Sequence, residues 1–328
     1  MFAQKLKSGD GVRIIAPARS LALSWLNDDL KSLACNRLKQ LGLHVSFGSH
    51  VNERDAFDSS SVQHRIEDLH EAFADPSVQL VLSVIGGYNS NQLLDSIDYS
   101  LIANHPKILC GYSDITVLAT AIYAQTGLVT YSGPHFFNFG QKREFDYTLE
   151  HFVKCLFHQK EISLRPSATY IDERWAVNQD SPEIVQNAGW RALQHGKASG
   201  TIIGGNLGSF HLLHGTKYMP NIRGDVILFI EDDAEDHPAV IDRNLQSLLQ
   251  QPIAKQVRAV VFGRCERKSG VTADLLDSIL KTKPALQNIP IITDVDFGHT
   301  TPMITFPIGG TAEIDASPAS VSIRITQH

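Results

Sequence analysis

KILCGYSDITVLATAIYAQT, residues 107–126, is the segment from which the rest of the chain takes its meaning. Ile108-Leu109-Cys110 is a short apolar run, Gly111-Tyr112-Ser113-Asp114 follows it, and Ile115, Leu118, Ala119, Ile122 and Tyr123 then recur at helical spacing. An apolar run, a glycine-led break and a 3.6-residue period predict a buried strand, a tight turn and an amphipathic helix. Ser113 falls on the turn, so the strand end lifts its hydroxyl toward solvent, while the first helical N–H groups stay free to hold an anion. That is the layout of a nucleophile elbow, in which the N–H after the serine supplies half of an oxyanion hole. The match to G-x-S-x-G is partial, because Ile115 stands at the second glycine. The plainer alternative is that Ser113 caps the helix and Asp114 complements its dipole.

Outward from this segment, strands and helices alternate. Apolar runs at Val12–Ala16 and Leu80–Ile85 and an alternating run at Leu43–Phe47 read as strands. Leu26–Leu41 and Ser61–Phe73 read as helices, the second capped by its serine, and Asn91–Leu94 as one helical turn. Such alternation predicts a parallel sheet covered on both faces, with its ligand site beyond the carboxyl ends of the strands. Ser113 and the Gly86-Gly87 pair both lie at such ends. The pattern loosens after Pro134, with a helix predicted at Phe145–Phe157. Ser163–Gly189 is polar and irregular, reading as a connection between domains or a loop over the site. From Trp190 a second set is expected, with strands at 201–203, 226–230, 258–262, 291–293, 311–314 and 321–325 and helices at 207–214, 238–251 and 272–280. The expected organisation is an N-terminal parallel-sheet α/β domain (1–162) carrying the serine, a connection (163–189), and a C-terminal mixed α/β domain (190–328).

The 328 residues are 43% hydrophobic and 20% charged, enough for a large core and suggestive of two domains. A formal net charge of −6 with no basic block disfavours nucleic acid, whose phosphates call for a Lys/Arg stripe. Cys35, Cys110, Cys155 and Cys265 are scattered and form no C-x-x-C, so neither a disulfide framework nor a structural zinc is expected. No apolar run approaches a membrane span, and residues 1–17 lack the long apolar core of a signal peptide. The expectation is a soluble cytoplasmic protein without a membrane partner.

A serine nucleophile needs a base within hydrogen-bond reach and a carboxylate to orient that base. With 14 histidines, only position can choose. Ile227–Ile230 is an apolar strand that ends in Glu231-Asp232-Asp233, where a carboxylate could orient an imidazole or merely sit at a helix start. His299 lies in the loop Asp294–Pro302 after the 291–293 strand, bracketed by Gly298 and Pro302; surface loop histidines are common too. His211 and His214 share a helical face but show no third ligand. Gly86-Gly87 could give a second oxyanion donor or only a glycine turn, and it does not extend to G-x-G-x-x-G. Gly204–Gly208 has no Lys-Ser/Thr for a phosphate loop.

Taken together, Ile85–Asn91, Gly111-Tyr112-Ser113-Asp114, Gly204-Gly205-Asn206-Leu207, Phe229-Ile230-Glu231-Asp232 and Gly298–Met303 occur in the order found in serine peptidases of the L,D-carboxypeptidase family. The chain resembles that family from about Val12 to Ile325, and its microcin C self-immunity branch most at Ile85–Asn91. The resemblance implies a Ser113–Glu231–His299 triad, an oxyanion hole from the N–H groups of Asp114 and Gly87 with Gly86 beside it, a site between the two domains, a homodimer and no cofactor or metal. It implies one of two substrates: an acyl-nucleotide-like conjugate, or a murein tetrapeptide losing its terminal D-alanine. In the self-immunity branch, loop aromatics stack on the base, which points to Tyr170 and Trp175, and Asn206 matches a binding asparagine. One departure is Glu235, where a lysine near a phosphate-like group is expected; a carboxylate there repels an anion. A non-catalytic two-domain binding protein is the alternative from another class.

Overall fold

A computed structural model describes residues 1–173, 178–317 and 320–328. In the first part of the chain, β1 (Gly11–Ile15), β2 (His44–Phe47), β3 (Val78–Ser83), β4 (Ile108–Cys110) and β5 (Thr130–Ser132) alternate with α1 (Asp28–Gln40), α2 (Val62–Ala74), α3 (Tyr99–Asn104) and α4 (Ile115–Thr126), and α5 (Asp146–Phe157) follows. Local chemistry sets the starts: Asn27 accepts from the Leu30 N–H at the head of α1, and Ser61 from the His64 N–H at the head of α2. Then come β6 (Ile162–Ser163), β7 (Thr169–Ile171), β8 (Ile184–Gln186), β9 (Arg191–Gln194), β10 (Gly196–Asn206), α6 (Leu207–His211), β11 (Val226–Glu231), α7 (Pro238–Leu249), β12 (Val257–Gly263), α8 (Ala273–Lys281), β13 (Ile291–Val295), β14 (Phe306–Ile308), β15 (Thr311–Ser317) and β16 (Ser320–Gln327).

The strands form two large sheets. The first runs β14-β5-β4-β3-β1-β2 and is parallel from β5 to β2. The second runs β6-β16-β15-β10-β11-β12-β13-β9, with a parallel centre from β10 to β13 and antiparallel flanks. This mixed α/β architecture is the one read from the sequence. β14 comes late in the chain yet pairs antiparallel with β5, so the two sheets are laced by a returning strand. Behind the join, Phe229 of β11, Phe297 after β13 and Phe306 of β14 form one aromatic cluster, with ring centroids 5.0–5.8 Å apart.

Two expectations change. Helix α4 is not amphipathic: every residue from Ile115 to Ile122 is buried, because α6 and β10 of the second sheet cover the face that an isolated helix would turn to water. Part of the irregular 163–189 stretch is ordered as the β7–β8 hairpin, whose Ile171 exchanges backbone bonds of 2.6 and 3.0 Å with Thr301. The hairpin is thus fastened to the loop that carries His299.

Candidate functional site

Ser113 stands between β4 and α4 with φ 58°. This left-handed conformation costs a non-glycine residue roughly 1–2 kcal/mol, and here it throws the side chain off the strand end. The backbone that meets it is Gly86, where an added Cβ would lie 2.9 Å from Ser113 Cβ and 3.0 Å from its Oγ. The elbow and the glycine turn are therefore pressed together at the carboxyl ends of β3 and β4. Asp114 locks that contact. Its buried carboxylate accepts from the Ser90 N–H at 3.0 Å, and its carbonyl accepts from the Ser90 hydroxyl at 2.8 Å. Among the described residues, the N–H groups of Asp114 and Gly87 donate to no protein acceptor. The Asp114 carboxylate ties two loops rather than capping α4.

The other two residues arrive from the second sheet. Glu231 is the last residue of β11 and buried; Gly298, at φ 104°, passes so close that a Cβ there would sit 2.6 Å from Glu231 Oε2. His299 Nδ1 donates to Glu231 Oε2 at 2.8 Å, and His299 Nε2 lies 3.1 Å from Ser113 Oγ. The three side chains read separately from three strand ends thus form one hydrogen-bonded chain. Burial pulls the His299 imidazole down, but the charge and hydrogen bond of Glu231, with Asp233 and Glu266 beyond it, raise it overall to about 9.

The loop bearing His299 is held by Asp296, which is wholly buried. Its carboxylate accepts from Ser167 (N–H 3.0 Å, hydroxyl 2.7 Å), Trp190 Nε1 (2.8 Å) and Arg264 (2.8 Å). Tyr170 lies against Arg264, the guanidinium 4.2 Å from its ring centroid. Asn206 is buried, caps α6 by accepting from Ser209, and donates to Asp232 at 3.3 Å, so its polar atoms are engaged beside the acid cluster. Trp175 lies outside the described residues. His211 and His214 pack edge to face with centroids 4.8 Å apart, and among the described residues no third ligand joins them.

Ser113 and His299 open on a cavity of about 210 Å3 that Gly86 and Gly87 also line. The cavity is also lined by Asp233 of the acid cluster and brings in residues the sequence did not single out: Arg19, Trp25, His135 and Glu266. Arg19 follows Pro17-Ala18 past the end of β1, where the strand-end rule points; the others had no local signal. His135 is buried beside the serine, with Nδ1 2.6 Å from Ser83 Oγ and no partner at Nε2 among the described residues. Burial, then repulsion from His299 and Arg19, holds it well below the usual histidine range, so it is neutral. Glu235 lines the mouth, where it accepts from the Tyr88 hydroxyl and so bridges the two halves of the chain. A larger groove of about 720 Å3 on the second sheet is lined by charges already paired, such as Lys197 with Asp315 and Arg258 with Asp225.

Residues 12–133 match the LD-carboxypeptidase N-terminal domain and residues 199–314 the LD-carboxypeptidase C-terminal domain. The putative carboxypeptidase YocD of Bacillus subtilis is 46% identical over 328 residues, all of both chains. The microcin C7 self-immunity protein MccF of Escherichia coli is 32% identical, covering 98% of this chain and 95% of that protein. A probable murein peptide carboxypeptidase of Bacillus subtilis is 31% identical, covering 97% and 93%. Among solved structures, an MccF-like protein from Bacillus anthracis superposes with a TM-score of 0.97 at 46% identity over the whole of both chains. MccF in complex with aspartyl sulfamoyl adenosine superposes with a TM-score of 0.89 at 29% identity, covering 100% and 99%.

Proposed function

The chain belongs to the LD-carboxypeptidase family, and we propose that it is a serine hydrolase whose Ser113, His299 and Glu231 cleave the amide of an aminoacyl or peptidyl nucleotide conjugate. The observation that carries this reading is the continuous chain from Ser113 Oγ to His299 Nε2 (3.1 Å) and from His299 Nδ1 to Glu231 (2.8 Å) at an elbow whose serine lines a cavity. Ser113 Oγ bonds to the scissile carbonyl carbon as its proton passes to His299. The oxyanion is held by the Asp114 and Gly87 N–H groups; one such donor is worth about 3–4 kcal/mol of transition-state stabilisation. When the C–N bond breaks, His299 returns the proton to the leaving nitrogen, and water then hydrolyses the acyl-serine by the same relay. Glu231 orients the imidazole and stabilises its charged form. The likeness to MccF, a complex of which holds aspartyl sulfamoyl adenosine, supports a nucleotide-bearing substrate. Tyr170 and Trp175 as base-stacking residues and Asn206 as a binding residue belong to the same proposal, as does a homodimer at twice the 36.2 kDa chain mass.

A second reading, removal of the terminal D-alanine of a muropeptide, has one observation in its favour. Asp233, Glu235 and Glu266 line the cavity against Arg19, a poor setting for a phosphate-like group. Mass-spectrometric hydrolysis assays separate the two, with murein tetrapeptide and a panel of aminoacyl-sulfamoyl adenosines as substrates and Ser113→Ala as the blank. Cleavage of the adenosine compounds is the expected result. Release of D-alanine alone moves the protein to the second reading.

A further inference from the structure

Far along the chain from the triad, the turn after β2 and the first turns of α2 bring His50, Glu53 and His64 together, with one ligand atom of each within 4.8 Å of the others. The two imidazoles stack with centroids 4.1 Å apart and planes 14° apart. Each aims Nδ1 at a different oxygen of the single Glu53 carboxylate, His50 at 2.7 Å and His64 at 2.6 Å. A second carboxylate stands behind: Glu67 Oε2 is 3.3 Å from His50 Nε2, and Gln63 donates to the other Glu67 oxygen at 2.8 Å.

A surface pair of histidine–glutamate hydrogen bonds would explain each contact singly. It does not explain why two rings converge on one carboxylate while a second carboxylate stands 3.3 Å from the remaining nitrogen of His50. A metal-bound histidine does call for one there, because a carboxylate on its far nitrogen fixes the tautomer and orients the ring. The backbones of both histidines are also pinned. The His50 N–H donates to both oxygens of buried Asp68 at 3.1–3.2 Å, and the His64 N–H donates to Ser61 Oγ at 3.1 Å. Tetrahedral bonds of about 2.0–2.2 Å place neighbouring ligand atoms roughly 3.3 Å apart, so Glu53, on an exposed turn, need only draw back a little to admit an ion. Two nitrogens and a carboxylate oxygen suit a borderline cation, and two carboxylates balance its charge.

We propose that His50, Glu53 and His64 bind one divalent transition-metal ion of the zinc class through the two Nδ1 atoms and a Glu53 oxygen, with Glu67 accepting from His50 Nε2–H and water completing the shell. The ion would rivet the 50–60 segment to α2. That segment supports the strand-end loop bearing Arg19, through the Leu21 N–H to the Val51 carbonyl (2.7 Å) and the Ser20 N–H to the Asp58 carbonyl (2.8 Å). The site stands apart from the hydrolytic reading and survives or fails without it.

Titration of the metal-stripped full chain with Zn2+ by calorimetry, with Co2+ absorption as the spectroscopic readout, tests this. One saturable ion per chain is expected, with intense visible bands of low-coordinate Co2+ and a thermal midpoint that rises with added zinc. His64→Ala and Glu53→Gln should each weaken binding by at least about tenfold and remove the bands, and Glu67→Gln should weaken it about tenfold with stoichiometry kept. His105→Ala, at an exposed histidine elsewhere, should bind as wild type. Circular dichroism confirms that the variants are folded. Binding unchanged in His64→Ala and Glu53→Gln, or no saturable binding at 0.1 mM zinc, overturns the proposal.

Discussion

At the scale of single residues, the charge around His299 sets a pH dependence. The base must be neutral to take the serine proton, and the surrounding carboxylates raise the imidazole to about 9. Log kcat/KM is therefore expected to climb with pH above 7 and to level only as His299 loses its proton, instead of levelling near the ordinary histidine value of about 6.5. Asp233 lies 3.8 Å from His299 Nε2 and is one of the groups that hold the proton on. Asp233→Asn should move the rising limb to lower pH, and a limb that stays in place or moves up contradicts the assignment of that charge. Glu231→Gln keeps the shape but removes the charge that stabilises the imidazolium, and a loss of roughly 10⁴ in kcat is expected in steady-state assays. Ser113, Glu231 and His299 were legible as candidates because each ends an apolar strand or sits in the loop just past one, and the family resemblance alone named them as a triad. Asp296 was not: nothing local marks an aspartate that gathers Ser167, Trp190 and Arg264 from distant segments.

At the scale of elements, that same Asp296 couples the His299 loop to the second sheet. Arg264 and Asp296 are a buried pair, their side chains 7% and 0% exposed. Asp296→Ala leaves the guanidinium without its charge partner, so a loss of about 3–5 kcal/mol of stability is expected in urea unfolding. A change under 1 kcal/mol would contradict that role. The aromatic cluster of Phe229, Phe297 and Phe306 lies two residues before Glu231 and two before His299, and reaches across to the first sheet. Phe297→Ala should cost about 3–5 kcal/mol by emptying that core, and should lower kcat in the surviving folded fraction by loosening His299. Most elements were readable from periodicity. β5 and β14 were not, because each is three residues long and, unlike β4, is followed by no helical period that marks it, and the all-round burial of α4 depends on a second sheet whose position no local pattern encodes.

At the scale of the whole molecule, the first sheet positions Ser113 and the Gly86-Gly87 turn, the proposed nucleophile and oxyanion side, and the second positions Glu231 and His299, the proposed acid and base. The fold reads as two separable halves in sequence, but the return of β14 to β5 makes the register between them a property of the complete chain. Substrate choice also belongs to this scale, since the cavity mouth is bridged by Tyr88 of one half and Glu235 of the other. Glu235→Lys reverses a charge there. It is expected to tighten binding of adenosine monophosphate several-fold, roughly 1 kcal/mol at a partly exposed site, measured by calorimetry at low salt. Unchanged affinity would place the phosphate-like group elsewhere.

In the proposed reaction Ser113 carries the acyl group during turnover. Acid-quenched reaction of the enzyme with an aminoacyl-sulfamoyl adenosine, followed by digestion and mass spectrometry, tests it most directly. The expected result is the added mass of the aminoacyl group on the peptide containing Ser113, absent from Ser113→Ala, with turnover lost in that variant. Hydrolysis at the wild-type rate by folded Ser113→Ala, or an acyl group recovered on another residue, would contradict it.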